Sequence, residues 1–137
     1  MVPTLDALTP LFAVLMVGLA LSHLAAGTAF GSPTELPWGI ELWNATRHPT
    51  QLYELIAALL ILTTTWLRNA VRASGSDFFS FTALTAGARL FLETFRGDSS
   101  LIVGGLRLAQ VLAWTSLFVS LVVYEWLQRE GKIESTT

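Results

Sequence analysis

Arg89, Glu93 and Arg96 recur at spacings of four and three inside an apolar stretch, Phe78 to Phe95, where charge is expensive. A charged side chain at bilayer depth costs at least about 2.5 to 3.5 kcal/mol on insertion scales, so such groups turn toward a protein interior or a wet cavity and mark a functional pathway. At 100° per residue, Thr82, Thr85, Arg89, Glu93 and Arg96 share one helix face. Arg89 and Glu93 are spaced to pair, and Arg96 can pair with Glu93 or reach the interface. The row carries one surplus positive charge, which suits an anionic headgroup because guanidinium grips phosphate bidentately. An interhelical ion pair that fixes packing is the equally weighted alternative.

A second cluster runs Arg47-His48-Pro49-Thr50-Gln51-Leu52-Tyr53-Glu54. His48 suits acid-base chemistry near neutral pH, and Glu54 is a further carboxylate at membrane depth with Arg89 or Arg47 as partner. The plainer readings are a helix cap for His48 and a favourable macrodipole position for Glu54. His23, between Ser22 and Leu24, reads as a buried, hydrogen-bonded residue. A proton path through His48, Glu54 and Glu93 is a weaker alternative. Asn44-Ala45-Thr46 matches a glycosylation sequon, a pattern too common to carry weight.

These residues need a membrane scaffold, and the composition predicts one. The chain has 137 residues, 53% hydrophobic and 13% charged, with no cysteine and a net charge of −2; its mean hydropathy is +0.57. A soluble domain of this size would be nearer a quarter charged. Without cysteine there is no disulfide, thiolate metal site or cysteine nucleophile. No basic run points to nucleic acid, and no cofactor or metal site is expected.

Apolar stretches at Leu11 to Phe30, Leu52 to Leu67, Phe78 to Phe95 and Leu106 to Leu127 predict an all-α integral membrane protein with four transmembrane helices, near 10–30, 49–68, 77–96 and 105–128. They form one domain, 1–129, with a loose tail at 130–137. Residues 1–10 hold Asp6 but no Lys or Arg, so the first stretch reads as a retained helix, not a signal peptide. Pro10 and Pro49 are placed at first helical positions, His48 as a cap, Ser76-Asp77 before the third helix and Gly104-Gly105 at the start of the fourth. Ala73-Ser74-Gly75-Ser76 makes the second and third helices antiparallel neighbours. Gly31 to His48 is assigned as a long loop. Arg68, Arg72, Arg129 and Lys132 on one side against Arg47, Arg96 and Arg107 on the other place both termini in the cytoplasm by a narrow margin. Trp38, Trp43 and Trp126 are expected at the membrane interfaces.

Three strings, taken in order, carry a resemblance: Gly27-Thr28-Ala29-Phe30-Gly31-Ser32-Pro33-Thr34-Glu35-Leu36-Pro37-Trp38-Gly39, then Arg47 to Glu54, then Arg89-Leu90-Phe91-Leu92-Glu93-Thr94-Phe95-Arg96-Gly97-Asp98. They resemble the C-terminal half of bacterial prolipoprotein diacylglyceryl transferase, with the R-H-P-T-Q-L-Y-E string the most specific. Members of that family are polytopic inner-membrane enzymes that move the diacylglyceryl group of phosphatidylglycerol onto a lipobox cysteine. The resemblance implies a headgroup-binding role for Arg89, with Glu93 and Arg96 as neighbours and Arg47, Gln51 and Tyr53 beside the lipid cavity. It also moves His48 and Glu54 toward catalysis.

Departures from the family pattern shape the functional expectation. Neither His23 nor His48 is followed by two glycines, as the family's essential histidine is. No Arg or Lys precedes Arg47, although the family's Gly-Arg-x-Gly motif falls near Leu19 to Ser22, and Thr85 stands where the family has tyrosine. The expectation is a truncated, non-catalytic relative in the bacterial inner membrane that binds phosphatidylglycerol and serves as an accessory subunit beside other membrane proteins. The alternative is an active transferase, alone or completed by a partner chain, with a lipobox substrate.

Overall fold

In the computed structural model, which describes residues 2–67, 74–97 and 107–134, helix α1 spans Val2–Ala26. It starts earlier than expected and carries Pro10 inside rather than at its first turn. Pro10 removes one backbone hydrogen bond but lies on an exposed face, and the preceding Thr9 Oγ1 donates to the Leu5 carbonyl at 2.9 Å. The helix stops at Ala26 because Gly27 takes a left-handed φ of +64°. There Thr28 N–H reaches the His23 carbonyl at 3.2 Å and Gly27 N–H the Leu24 carbonyl at 3.4 Å, the double closure of a Schellman motif. That motif fixes His23 in the last turn.

Residues 31–48 are not the plain loop assigned from sequence. They contain an antiparallel hairpin, β1 (Ile40–Leu42) and β2 (Ala45–Arg47), in register Ile40 to Arg47 and Leu42 to Ala45. Trp43 and Asn44 both have positive φ, 55° and 59°, as a two-residue type I′ turn requires. Asn tolerates this conformation and Trp does not, so the pattern was hidden. Trp43 is held there by Nε1–H donating to the Gly27 carbonyl at 3.1 Å.

Helix α2 covers Thr50–Trp66. Pro49 is its N-cap, not its first residue, and no side chain caps it, so the capping role read for His48 is not realised. The His48 ring instead packs edge-on against Phe95, with centroids 5.2 Å apart. Helix α3 covers Ser76–Glu93. Its start is capped from a distance: the Asp6 carboxylate on α1 accepts hydrogen bonds from Gly75 N–H and, at 2.9 Å, from Phe78 N–H. Its end falls before Arg96, which leaves the helix and bridges Gly31. Helix α4 covers Leu108–Glu134, so the loose tail expected from residue 130 is helical as far as 134. Arg68, Arg72, Ala73, Asp98 and the Gly104-Gly105 start fall outside the described residues, as do residues 135–137.

α1 packs on α2, and α3 on both α2 and α4. The buried positions along these contacts are mostly small, Ala13 and Ala20 on α1, Ala58 on α2, Ala86 on α3 and Ala113 on α4, which lets the helices approach closely. The large apolar side chains face outward instead, among them Leu19, Leu60, Phe118 and Val122. Among the described residues two helices are long and apolar enough to cross a membrane, Pro3–Ala26 at mean hydropathy 1.9 and Leu108–Arg129 at 1.5. α2, with 17 residues, rises only about 26 Å at 1.5 Å per residue, short of a hydrocarbon core of about 30 Å. α3 has 18 residues and carries Asp77, Arg89 and Glu93. Of the four expected spans, two meet the length and composition of one.

One segment ties the helix ends together. Ser32 N–H donates to the Phe95 carbonyl at 2.8 Å, Gly97 N–H to the Phe30 carbonyl at 3.0 Å, and His48 N–H to the Ser32 carbonyl at 3.1 Å. Residues 30–34 thus lie between the entrance to α2 and the exit from α3. The approach is close enough to need glycine: a Cβ on Gly31 would stand 2.3 Å from the His48 carbonyl oxygen.

Candidate functional site

A cavity of about 600 Å³ opens between the helices. Its charged and titratable lining residues are His23 from α1, Glu54 from α2 and Arg89 from α3. Met16 and Leu19, then Phe81 and Leu92, then Leu112 and Ala113 supply apolar walls, and Thr82, Thr85 and Ser116 add hydroxyls. Each charged residue is set by its helix. Thr50 Oγ1 donates to the Ala29 carbonyl at 2.6 Å and Gln51 Nε2 to the Thr28 carbonyl at 3.0 Å. These two bonds lock the first turn of α2 under the end of α1, which turns Glu54 toward His23.

Glu54 is the hub. Its Oε2 lies 2.8 Å from His23 Nδ1, and its Oε1 lies 3.8 Å from Arg89 Nη1. The first is a hydrogen bond; the second is a looser ion pair. The glutamate is 14% exposed, whereas the His23 and Arg89 side chains are 32% and 39% exposed, so the carboxylate is the most enclosed of the three groups that line the cavity.

Each partner in the Arg89 row is one of those the sequence left open. Arg89 pairs with Glu54, not Glu93, and Glu93 pairs with Arg96 at 4.0 Å. α3 turns its Thr82, Thr85 and Arg89 positions to the cavity, while Glu93, 1% exposed, points into the packed end of the helix. There neither Glu93 oxygen accepts a hydrogen bond from a described residue. With Glu54 counted, Arg89 and Arg96 face two carboxylates, which cancels the surplus charge read from the row. Arg107 restores it, because its Nη1–H donates to the Glu93 backbone carbonyl and so brings a third cation to the end of α3.

The second sequence cluster is divided by the fold. His48 and Tyr53 line a different, almost wholly apolar cavity of about 580 Å³ with Trp38, Phe91 and Phe95. Tyr53 OH accepts from Trp38 Nε1–H at 3.0 Å, and His48 Nδ1 is buried with no hydrogen bond to a described residue. Gln51 lies in the core at 1% exposure. Arg47 is committed to the hairpin: its Nε–H reaches the Leu42 carbonyl at 3.0 Å, Nη1–H the Gly31 carbonyl at 3.3 Å, and its guanidinium lies 4.9 Å from the Phe30 ring centroid. Arg96 meets Glu54 and Arg89 across a small gap that also touches Ala29 and Thr50. His23 is hydrogen-bonded as its sequence reading expects, but it is part-exposed and lines the cavity instead of being buried. A polar side chain on so apolar a helix needs a partner, and that requirement was the available signal.

The arrangement offers one guanidinium that makes no hydrogen bond with a described residue, a histidine oriented by a carboxylate, and a largely apolar lining. It can hold an oxyanion at Arg89 and accept a proton or hydrogen bond at His23, with hydrocarbon alongside.

Comparison with known proteins agrees with the resemblance. A model of the prolipoprotein diacylglyceryl transferase family matches residues 1–126. Among curated proteins, phosphatidylglycerol–prolipoprotein diacylglyceryl transferase of Clostridioides difficile (strain 630) is 34% identical over 107 residues, covering 77% of this chain and 43% of that protein. The protein of the same name from Wolinella succinogenes is 33% identical, covering 75% of this chain and 40% of its own length. That from Desulfotalea psychrophila is 30% identical over 137 residues, covering 88% and 50%. The chain therefore spans between 40% and 50% of the length of these relatives.

Proposed function

Since this chain belongs to the prolipoprotein diacylglyceryl transferase family, we propose that it is a multi-pass bacterial inner-membrane protein that binds a phosphatidylglycerol-type lipid at Arg89. In this reading it acts as a non-catalytic accessory or assembly subunit of a larger membrane complex. Both termini are assigned to the cytoplasm, and α2 and α3 cross the membrane within the helix bundle, where their charges find partners.

The observation that carries the lipid reading is the placement of Arg89. Its guanidinium lines a cavity whose other walls are mostly apolar, and only one of its nitrogens faces Glu54. Guanidinium has five N–H donors, so the remaining ones are free for a phosphate while acyl chains follow Met16, Leu19 and Leu112. Arg107 adds positive charge at the same end of α3.

The non-catalytic reading rests on the residues opposite. The cavity wall on α1 is built from Met16, Leu19 and His23 around a buried Ala20, with no cation where the family resemblance calls for an arginine. Transfer needs the leaving glycerol phosphate stabilised while the thiol is activated. Absence of one charge-assisted donor alone costs about 3 kcal/mol, roughly a hundredfold in rate. One observation favours the second reading, an active transferase alone or completed by another chain: Glu54 lies 2.8 Å from His23 Nδ1, the carboxylate–imidazole contact that a general base can use.

The deciding experiment reconstitutes the purified protein with phosphatidylglycerol and a lipobox peptide. The accessory reading expects saturable lipid binding without diacylglyceryl transfer, and stoichiometric co-purification with other membrane proteins from native membranes. Transfer that is lost in Arg89→Ala would establish the enzyme instead.

A further inference from the structure

We propose that His23 reads the headgroup of the bound lipid, selecting an anionic phospholipid that carries a free hydroxyl beyond its phosphate. This rests on the lipid-binding reading of the Arg89 cavity and adds a specificity-determining residue to it.

The argument begins with the tautomer. A carboxylate only accepts hydrogen bonds, so the 2.8 Å contact between Glu54 Oε2 and His23 Nδ1 places the proton on Nδ1. In the neutral ring this leaves Nε2 as a lone-pair acceptor with its direction fixed by the pair. Nε2 takes no hydrogen bond from any described residue, the side chain is 32% exposed, and the residue lines the cavity. Nothing in the local packing uses this acceptor.

The second step is its relation to the phosphate site. His23 and Arg89 both contact Glu54, one on each carboxylate oxygen. The anion site at Arg89 and the acceptor at Nε2 are therefore neighbouring points on one polar wall, with apolar side chains around them. A phosphate at Arg89 carries its headgroup substituent past His23. A hydroxyl there donates to Nε2; an alkyl group leaves that acceptor buried under the lipid and unpaired, which is the larger part of the discrimination. Among the described residues the other charged groups lining the cavity are Glu54 and Arg89, and the α4 wall contributes Ala109, Leu112, Ala113 and Ser116, none of them titratable.

The experiment compares phosphatidylglycerol with phosphatidylpropanol of the same acyl chains, which matches charge and length and lacks only the hydroxyls. Binding to the full chain in detergent is measured at about pH 8. The wild-type protein is expected to prefer phosphatidylglycerol by about tenfold. His23→Leu should bring the ratio to about one while binding of phosphatidylpropanol changes little, and His23→Gln, which keeps an acceptor, should retain part of the preference. Thermal unfolding of each variant establishes that it is folded. Equal binding of the two lipids by the wild type, or a preference that survives His23→Leu, overturns the role of His23 and leaves the lipid site intact. Binding of neither lipid overturns the lipid site itself, and the inference with it.

Discussion

His23 Nδ1 and Glu54 Oε2 lie 2.8 Å apart, and the other oxygen of the same carboxylate faces Arg89 at 3.8 Å. Three helices are thereby pinned at one point inside an otherwise apolar bundle. Glu54→Gln keeps an acceptor for His23 but removes the charge opposite Arg89, whereas Glu54→Leu removes both. The glutamine variant is expected to lose up to about 1 kcal/mol of stability and the leucine variant about 2 to 3 kcal/mol. Denaturant titration in a fixed detergent separates them; equal losses would mean that the hydrogen bond contributes nothing.

Arg89→Ala should weaken binding of anionic lipid by about tenfold or more, the worth of a charge-assisted hydrogen bond. Arg89→Lys should recover part of it, since an ammonium binds phosphate as a point charge without the fork. Arg107→Ala acts differently, because that side chain holds the Glu93 carbonyl at the end of α3. It should lower the midpoint of thermal unfolding with a smaller effect on lipid affinity. Isothermal titration with short-chain phosphatidylglycerol, run beside thermal unfolding, tests both halves.

Two glycines should respond in opposite directions. A Cβ at Gly31 meets His48 backbone oxygen and Cβ at 2.3 and 2.5 Å, neither of which can swing aside. Gly31→Ala should therefore cost about 2 to 4 kcal/mol by forcing the 30–34 segment from the start of α2. A Cβ at Gly87, within α3, meets nothing within 4 Å, so Gly87→Ala should stabilise by about 0.5 to 1 kcal/mol through helix propensity. Unfolding midpoints of the two variants check the pair.

Asp6→Ala removes the cap that α1 places on α3. The expected loss is about 1 to 2 kcal/mol, localised to the first turn of α3. Hydrogen exchange at the Gly75 and Phe78 amides, the two donors to Asp6, should rise while exchange in the middle of α3 is unchanged. Uniform acceleration along the helix would contradict a local cap.

What could be read from the chain followed the range of the interactions. α1 and α4 are plain from composition, and Arg89 was conspicuous because one charge in an apolar run needs no partner to be noticed. The partner was legible only as a choice: Arg89 could reach Glu93 one turn along its own helix or Glu54 on α2, and the fold settled it on Glu54, while Glu93 rotated into the packed end of α3. Asp6 was noted only for sign and turned out to cap a helix some 70 residues away. The hairpin was missed because its turn uses Trp43-Asn44 instead of Asn-Gly, and its strained residue is held by Gly27, a tertiary contact. Pro10 and Pro49 each missed the assigned first helical position, Pro10 because α1 begins eight residues earlier and Pro49 because it is the N-cap of α2.

The hub on Glu54 also bears on how the chain is made. His23 precedes Glu54 by 31 residues, and Arg89 follows both. On the membrane topology proposed above, the carboxylate of α2 enters the bilayer with its hydrogen-bond donor already in place on α1. A hairpin of α1 and α2 thus gives its carboxylate a hydrogen bond before α3 is synthesised, and the late-arriving guanidinium supplies the counter-charge. Insertion can proceed helix by helix without leaving the carboxylate unpartnered in hydrocarbon.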